Sequence, residues 1–240
     1  MKHLHINIFG TGERIVFFHG WGFDQTIWNS LLPELEKLYQ IYLIDLPGFG
    51  KSSQMNWQTF KTQLLQVIPS PFTIVGWSLG GLYGLRLALE EKTQIKKLIN
   101  VAAPPFFMGD NQWPGIDENM FKAFQEQVAK DPLVAVKAFI KLQDKRAALI
   151  QPLDENNIEK AALISGLNIL FTWDFRLLIK ELTKPIVFMF SKLDTIIPPK
   201  IIKVMKKSYP AFSYHEFPKA GHMPFLSHPQ EFITALKEHL

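Results

Sequence analysis

Short apolar runs recur along the chain, and between them lie stretches with apolar residues at helical spacing. His3 to Phe9 alternates polar and apolar positions and predicts an edge strand, with His3 and His5 on a solvated face. Arg14 to Phe18, Ile41 to Asp45, the run opening at Phe72, and Lys97 to Val101 predict buried strands. Leu82 to Glu91 carries Leu82, Leu85 and Leu89 at helical spacing. Further on, Pro185 to Phe190 and Ser213 to Phe217 predict strands, while Lys200 to Ser208 and Pro229 to Leu240 predict helices. Strands separated by helices imply an α/β fold with a mostly parallel sheet and right-handed crossovers. After Val101 this rhythm breaks. Asn119 to about Phe171 is rich in helix formers, with Pro132 placed as a first-turn proline after Asp131. The expectation is a core made of residues 1–103 and 172–240, with a helical lid, 104–171, inserted after the strand at 97–101. Such a lid would cover the carboxyl edge of the sheet, where open α/β folds bind ligands.

The strand opening at Phe72 runs directly into Gly76-Trp-Ser78-Leu-Gly80 and then into a helix. A serine on so sharp a strand-to-helix turn is lifted out of the sheet, and the helix behind it aims free N–H groups at the same spot. A hydroxyl needs a base, and the base needs an orienting carboxylate. Asp194 follows the strand ending at Phe190, and His222 follows the strand ending at Phe217. The order serine, acid, histidine, each at a strand's carboxyl end, points to a catalytic set of Ser78, Asp194 and His222. His215 lies inside a strand and His228 heads the last helix in a capping position. Asp45 is expected to brace the Pro47–Gly50 turn, and Asp174 to cap a helix. An oxyanion hole needs two backbone donors, and the N–H groups of Leu79 and Trp21 are the candidates, with His19 a brace for the Trp21 loop.

Composition narrows the chemistry. The 240 residues contain no cysteine, which excludes disulfides and thiolate catalysis. A net charge of +4 demands neither nucleic acid nor membrane. No secretory signal and no apolar run of the roughly 20 residues that span a bilayer is visible, so a cytoplasmic protein is expected; a monomer is a separate expectation. No motif for a metal, flavin or nicotinamide is present, and no cofactor is expected.

His19-Gly-Trp-Gly22, Asp45-Leu-Pro-Gly-Phe-Gly-Lys-Ser52, the serine turn and Gly221-His222 resemble α/β-hydrolases of the carboxylesterase type. Trp113-Pro-Gly-Ile116, Phe139-Ile-x-Leu-Gln143 and Gly166-Leu-x-Ile-Leu170 extend the resemblance to the pimeloyl-acyl-carrier-protein methyl ester esterases of biotin synthesis. That resemblance implies hydrolysis of a methyl ester on a carrier-bound acyl chain. It also implies substrate contacts at Trp21, Ser78, Leu79, Phe139, Ile140, Lys141, Leu142, Gln143 and His222. The carrier is acidic, and residues 119–148 hold six basic against three acidic side chains. Lys137, Lys141 and Lys145 recur every four residues and, with Arg146, form the expected docking face. A second lysine group, Lys200, Lys203, Lys206 and Lys207, reads as the outer face of a core helix. Fold and catalytic set do not fix the substrate. A broad short-chain carboxylesterase, or a catalytically slow ligand receptor on the same fold, remains as an alternative.

Overall fold

The computed structural model describes residues 2–143 and 159–240. In it the apolar runs form strands β1 (Ile6–Phe9), β2 (Glu13–Phe18), β3 (Tyr39–Ile44), β4 (Phe72–Trp77), β5 (Ile95–Val101), β6 (Ile186–Ser191) and β7 (Ser213–Phe217). Their spatial order among the described residues is β1-β3-β2-β4-β5-β6-β7. Every neighbouring pair is parallel except β1 with β3. All six positions of β4 are buried, as a parallel strand covered on both faces requires. The helices are α1 (Leu32–Leu35), α2 (Trp57–Val67), α3 (Leu79–Glu90), α4 (Glu118–Lys130), α5 (Pro132–Gln143), α6 (Lys160–Thr172), α7 (Lys200–Ser208), α8 (Pro224–Ser227) and α9 (Pro229–His239). Register sets the working edge: Phe18 lies opposite Gly76, and Gly76 opposite Asn100. The residues that follow β2, β4 and β5 therefore leave the sheet side by side at its carboxyl end.

Several boundaries differ from the sequence expectation. The first strand begins at Ile6, because the carbonyls of His3 and His5 accept from Ser53 and Asp45 instead of joining the ladder. His5 is not a solvated strand position. Its Nδ1 lies 2.8 Å from Asp45 Oδ2, since a buried carboxylate must find partners. Asp45 also braces the turn as expected, accepting from the N–H groups of Gln25 and Lys51. Burial works against its charge, yet those N–H groups help hold its carboxyl below the usual carboxylate range. The helix after the serine begins at Leu79, three residues early, because the two glycines join its first turn. Asp174 caps no helix; it accepts from the Arg176 N–H and pairs with that residue's guanidinium at 2.6 Å. His228 stands at the N-cap of α9, but its ring meets Ser227 Oγ instead of a helix N–H.

Helices α4, α5 and α6 fall between β5 and β6, in the expected insertion. Asp117 caps α4 by accepting from Asn119 and Met120, and Asp131 accepts from Val134 at the start of α5. The segment before α4 is irregular, closed by a single bridge between Met108 and Ile116. Lys145 and Arg146 lie outside the described residues. Just past α6, Trp173 joins an aromatic cluster of the core, where the Arg86 guanidinium lies 4.6 Å from the ring centres of both Trp57 and Trp173. Glu90 completes it, accepting from Trp57 Nε1, Lys61 and Arg86. Partial burial opposes its charge, but these three donors bring its pKa down to about 2. A carboxylate depressed in the folded state contributes stability above its unfolded pKa and loses it as pH falls through the folded one. Glu90→Gln is therefore expected to lower the melting temperature at pH 7, with the gap to the parent closing between about pH 4.5 and pH 2. Thermal scans across that range check it, and a gap that does not depend on pH would contradict it.

Candidate active site

Ser78 sits between β4 and α3 with φ 54° and ψ −118°, a conformation that side chains rarely adopt. Its neighbours permit the turn. A Cβ on Gly76 would lie 2.5 Å from the Gly80 carbonyl oxygen, and one on Gly80 would run into the carbonyls of Phe18 and His19. The Ser78 N–H donates to Val101 O at 2.9 Å, which ties the turn to the end of β5. Its hydroxyl makes no hydrogen bond among the described residues and opens onto a cavity. Leu79, first residue of α3, has an N–H with no acceptor inside the helix. The Trp21 N–H likewise has no acceptor among the described residues. Its loop is held as expected. The buried His19 ring bridges Gly20 O through Nδ1 and the Leu46 N–H through Nε2, each within 2.9 Å. Accepting at Nε2 requires a neutral ring, and burial accordingly pushes the His19 pKa down.

The loops after β6 and β7 bring Asp194 and His222 together, with Nδ1 of the ring 2.8 Å from Asp194 Oδ2. The other carboxylate oxygen accepts from the N–H groups of Ile196 and Ile197. An ionised carboxylate can only accept, so Nδ1 carries the proton and Nε2 presents a lone pair. That Nε2 is buried and has no partner among the described residues. His222 packs against the Trp77 ring at 5.6 Å, and the Trp77 indole N–H donates to the His222 carbonyl at 2.9 Å. The tryptophan beside Ser78 thus anchors the histidine loop. No hydrogen bond joins Ser78 Oγ to His222 Nε2 in this structure.

The cavity above Ser78 has a volume of about 580 Å³ and a mostly apolar lining. Of the segment 139–143, Phe139 and Leu142 line it. Ile140 and Gln143 are buried away from it, and Lys141 is exposed on the outer face of α5. Trp21 and Leu79 do not reach the lining either. The Trp21 ring backs Phe139 edge-on at 5.1 Å, and its indole donates to Leu163 O, so it supports the wall from behind. Sequence reasoning missed Phe121 and Phe124 of α4, Leu167 and Leu170 of α6, and Phe107 and Ile116 of the preceding loop. Three-residue spacing within α4 and within α6 was a visible signal for two of these pairs. Of the loop residues, Ile116 closes the Trp113-Pro-Gly-Ile116 phrase, whereas Phe107 had no signal. No group of side chains able to hold a metal ion occurs among the described residues. No helix among them is long and apolar enough to cross a membrane.

Comparison with known proteins agrees with this architecture. Residues 15–235 match the alpha/beta hydrolase family. The pimeloyl-[acyl-carrier protein] methyl ester esterase of Legionella pneumophila (strain Corby) is 44% identical, covering 98% of each chain. The enzyme of the same description from Citrobacter koseri is 34% identical over 93% of this chain and 92% of its own. Among solved structures, an esterase from Exiguobacterium antarcticum superposes with a TM-score of 0.89 at 22% identity, covering 98% of this chain and 94% of that one, a likeness of fold. The chain belongs to the alpha/beta hydrolase family, in the group of the pimeloyl-[acyl-carrier protein] methyl ester esterases.

Proposed function

We propose that this carboxylic ester hydrolase cleaves the methyl ester of an acyl chain carried on an acidic carrier protein, by a serine mechanism using Ser78, Asp194 and His222. The observation that carries the mechanism is the Asp194–His222 pair, whose ring packs on Trp77, the residue before Ser78, and whose buried Nε2 has no partner among the described residues. Substrate in the cavity presents its carbonyl to Ser78, and the Oγ–Nε2 link closes as it binds, since such contacts often tighten only in the substrate complex. Ser78 Oγ attacks the carbonyl carbon as its proton passes to Nε2. The resulting imidazolium is stabilised by Asp194, and the oxyanion by the N–H groups of Leu79 and Trp21. The intermediate collapses, its C–O bond to the methoxy group breaks, and methanol leaves with the proton from Nε2. Water then gives a proton to Nε2 and attacks the acyl-enzyme. Collapse returns that proton to Ser78 and frees the carboxylate.

Relatives at 44% and 34% identity support the substrate, as does an apolar cavity of a size that takes a medium-length acyl chain. Helices α4, α5 and α6 act as the lid in this reading, and residues 104–171 as an insertion in a core of 1–103 and 172–240. Lys137 and Lys141 on α5, with Lys145 and Arg146 beyond the described residues, receive the carrier in the docking scheme read from the sequence. The protein works as a monomer without a cofactor. The test compares kcat/KM for methyl pimeloyl-acyl-carrier protein with that for unlinked methyl esters. A preference of about tenfold or more for the carrier-linked ester is expected. Equal values would leave a broad short-chain carboxylesterase.

A further inference from the structure

One indole touches both sides of the site. Trp77 ends β4, so Ser78 follows it directly, and its side chain is buried. On one side it meets the loop after β2. A Cβ on Gly20 would lie 2.8 Å from the indole's Cε3 and Cζ3, and the Phe23 ring packs on it at 5.1 Å. Gly20 and Trp21 share the peptide whose N–H is one oxyanion donor. On the other side the indole packs against His222 at 5.6 Å and Phe225 at 5.1 Å. Its N–H donates to the His222 carbonyl, and no other hydrogen bond joins residues 218–223 to the serine turn among the described residues. The sheet leaves that distance loosely set: β7, which delivers His222, stands three strands from β4, and twist accumulates between them. The donor also marks this ring out. Trp28 is buried alongside, 6.5 Å from Trp77, yet its own indole N–H has no partner among the described residues.

We propose that Trp77 is a positioning residue that sets both the base and the oxyanion loop in register with Ser78. The inference rests on the serine mechanism above and adds a residue to it. The indole acts on the chemistry through its neighbours. It fixes the backbone of His222, and with it the place of Nε2, and it supports Gly20 on the peptide that presents the Trp21 N–H. A misplacement of about 1 Å at such groups is enough to cost about 100-fold in rate. A tryptophan suits the task because its large rigid ring has few torsions to lose and carries a polar edge.

The test compares Trp77→Phe, which keeps an aromatic ring and removes the donor, with Trp28→Phe as the control for a buried ring. Active sites are first titrated with a fluorophosphonate, whose P–F bond breaks as Ser78 Oγ bonds to phosphorus. Kinetics with p-nitrophenyl butyrate are then set beside Ki for a medium-chain trifluoromethyl ketone. Ser78 Oγ adds to the ketone carbon, the carbonyl oxygen becomes the oxyanion and the serine proton passes to Nε2, so Ki reads base and donors together. Trp77→Phe is expected to lower kcat per titrated site about tenfold with KM little changed, and to weaken the ketone by a similar factor. Trp28→Phe stays within about twofold of the parent in both. Gly20→Ala reaches the same contact without changing the indole. It is expected to cost about tenfold in the parent and less in the Trp77→Phe background, where the smaller ring leaves room. Trp77→Phe with kcat per site and Ki near the parent values overturns the proposal. So does an equal loss in Trp28→Phe, or a Gly20→Ala cost that is the same in both backgrounds. A fall in kcat with Ki unchanged overturns it too, leaving the indole a support of the fold. A parent that takes no label at Ser78 is a different failure, which removes the serine mechanism itself.

Discussion

Ser78→Ala is expected to lower kcat for p-nitrophenyl butyrate by about 10⁴-fold or more while leaving the fold intact. Both halves of that expectation come from the same observations. The hydroxyl holds no structural hydrogen bond, and what anchors the turn is the backbone N–H of residue 78 on Val101 O, which alanine retains. The strained φ of 54° is imposed by the glycines and strand ends around it, so alanine occupies the same turn. Removing Oγ therefore removes the attacking atom with little effect on stability. Initial rates together with a melting curve make the test. Activity near the parent level, in a protein of unchanged melting temperature, would move the nucleophile to another residue.

Asp194→Asn carries the second large effect, a loss of about 10⁴-fold in kcat with KM little changed. The carboxylate now serves three donors: the ring Nδ1–H and the N–H groups of Ile196 and Ile197. An asparagine has one acceptor oxygen. If that oxygen keeps the two backbone donors, the amide NH₂ faces Nδ1, which must then accept. The proton moves to Nε2, the nitrogen that has to receive the serine proton, and the base is lost with the geometry nearly unchanged. Asp194→Ala differs, because it leaves Nδ1 of a fully buried ring unpartnered and adds a cost in stability. The pair of variants separates tautomer control from simple support. An Asn variant as active as the parent would place the orienting acid elsewhere.

The serine turn and the meeting of Asp194 with His222 at strand ends were legible because each residue is announced by its own neighbourhood. Gly76 and Gly80 are required by backbone atoms that would meet any Cβ, and Asp194 and His222 each follow a short strand that is visible as an apolar run or an alternation. The helix boundary at Leu79 was misread because glycine is a poor helix former, whereas here Gly80 and Gly81 are demanded by close contact with β2 and with Asn100 and Ala103. His5 was misread for the opposite reason. Nothing near it in the chain reveals that a buried carboxylate 40 residues away needs a partner.

From the residues alone came the α/β alternation, the helices between the fifth and sixth strands, and the order in which Ser78, Asp194 and His222 follow β4, β6 and β7. These rest on local physics: the period of apolar positions, the sterics of glycine, and the direction in which a strand delivers its last residue. Packing alone decided which aromatic rings of α4 and which leucines of α6 face the cavity, and that Trp77 anchors the His222 loop. Such contacts join side chains scores of residues apart, and they depend on how helices rotate and settle against the sheet, which no periodicity within a single element specifies.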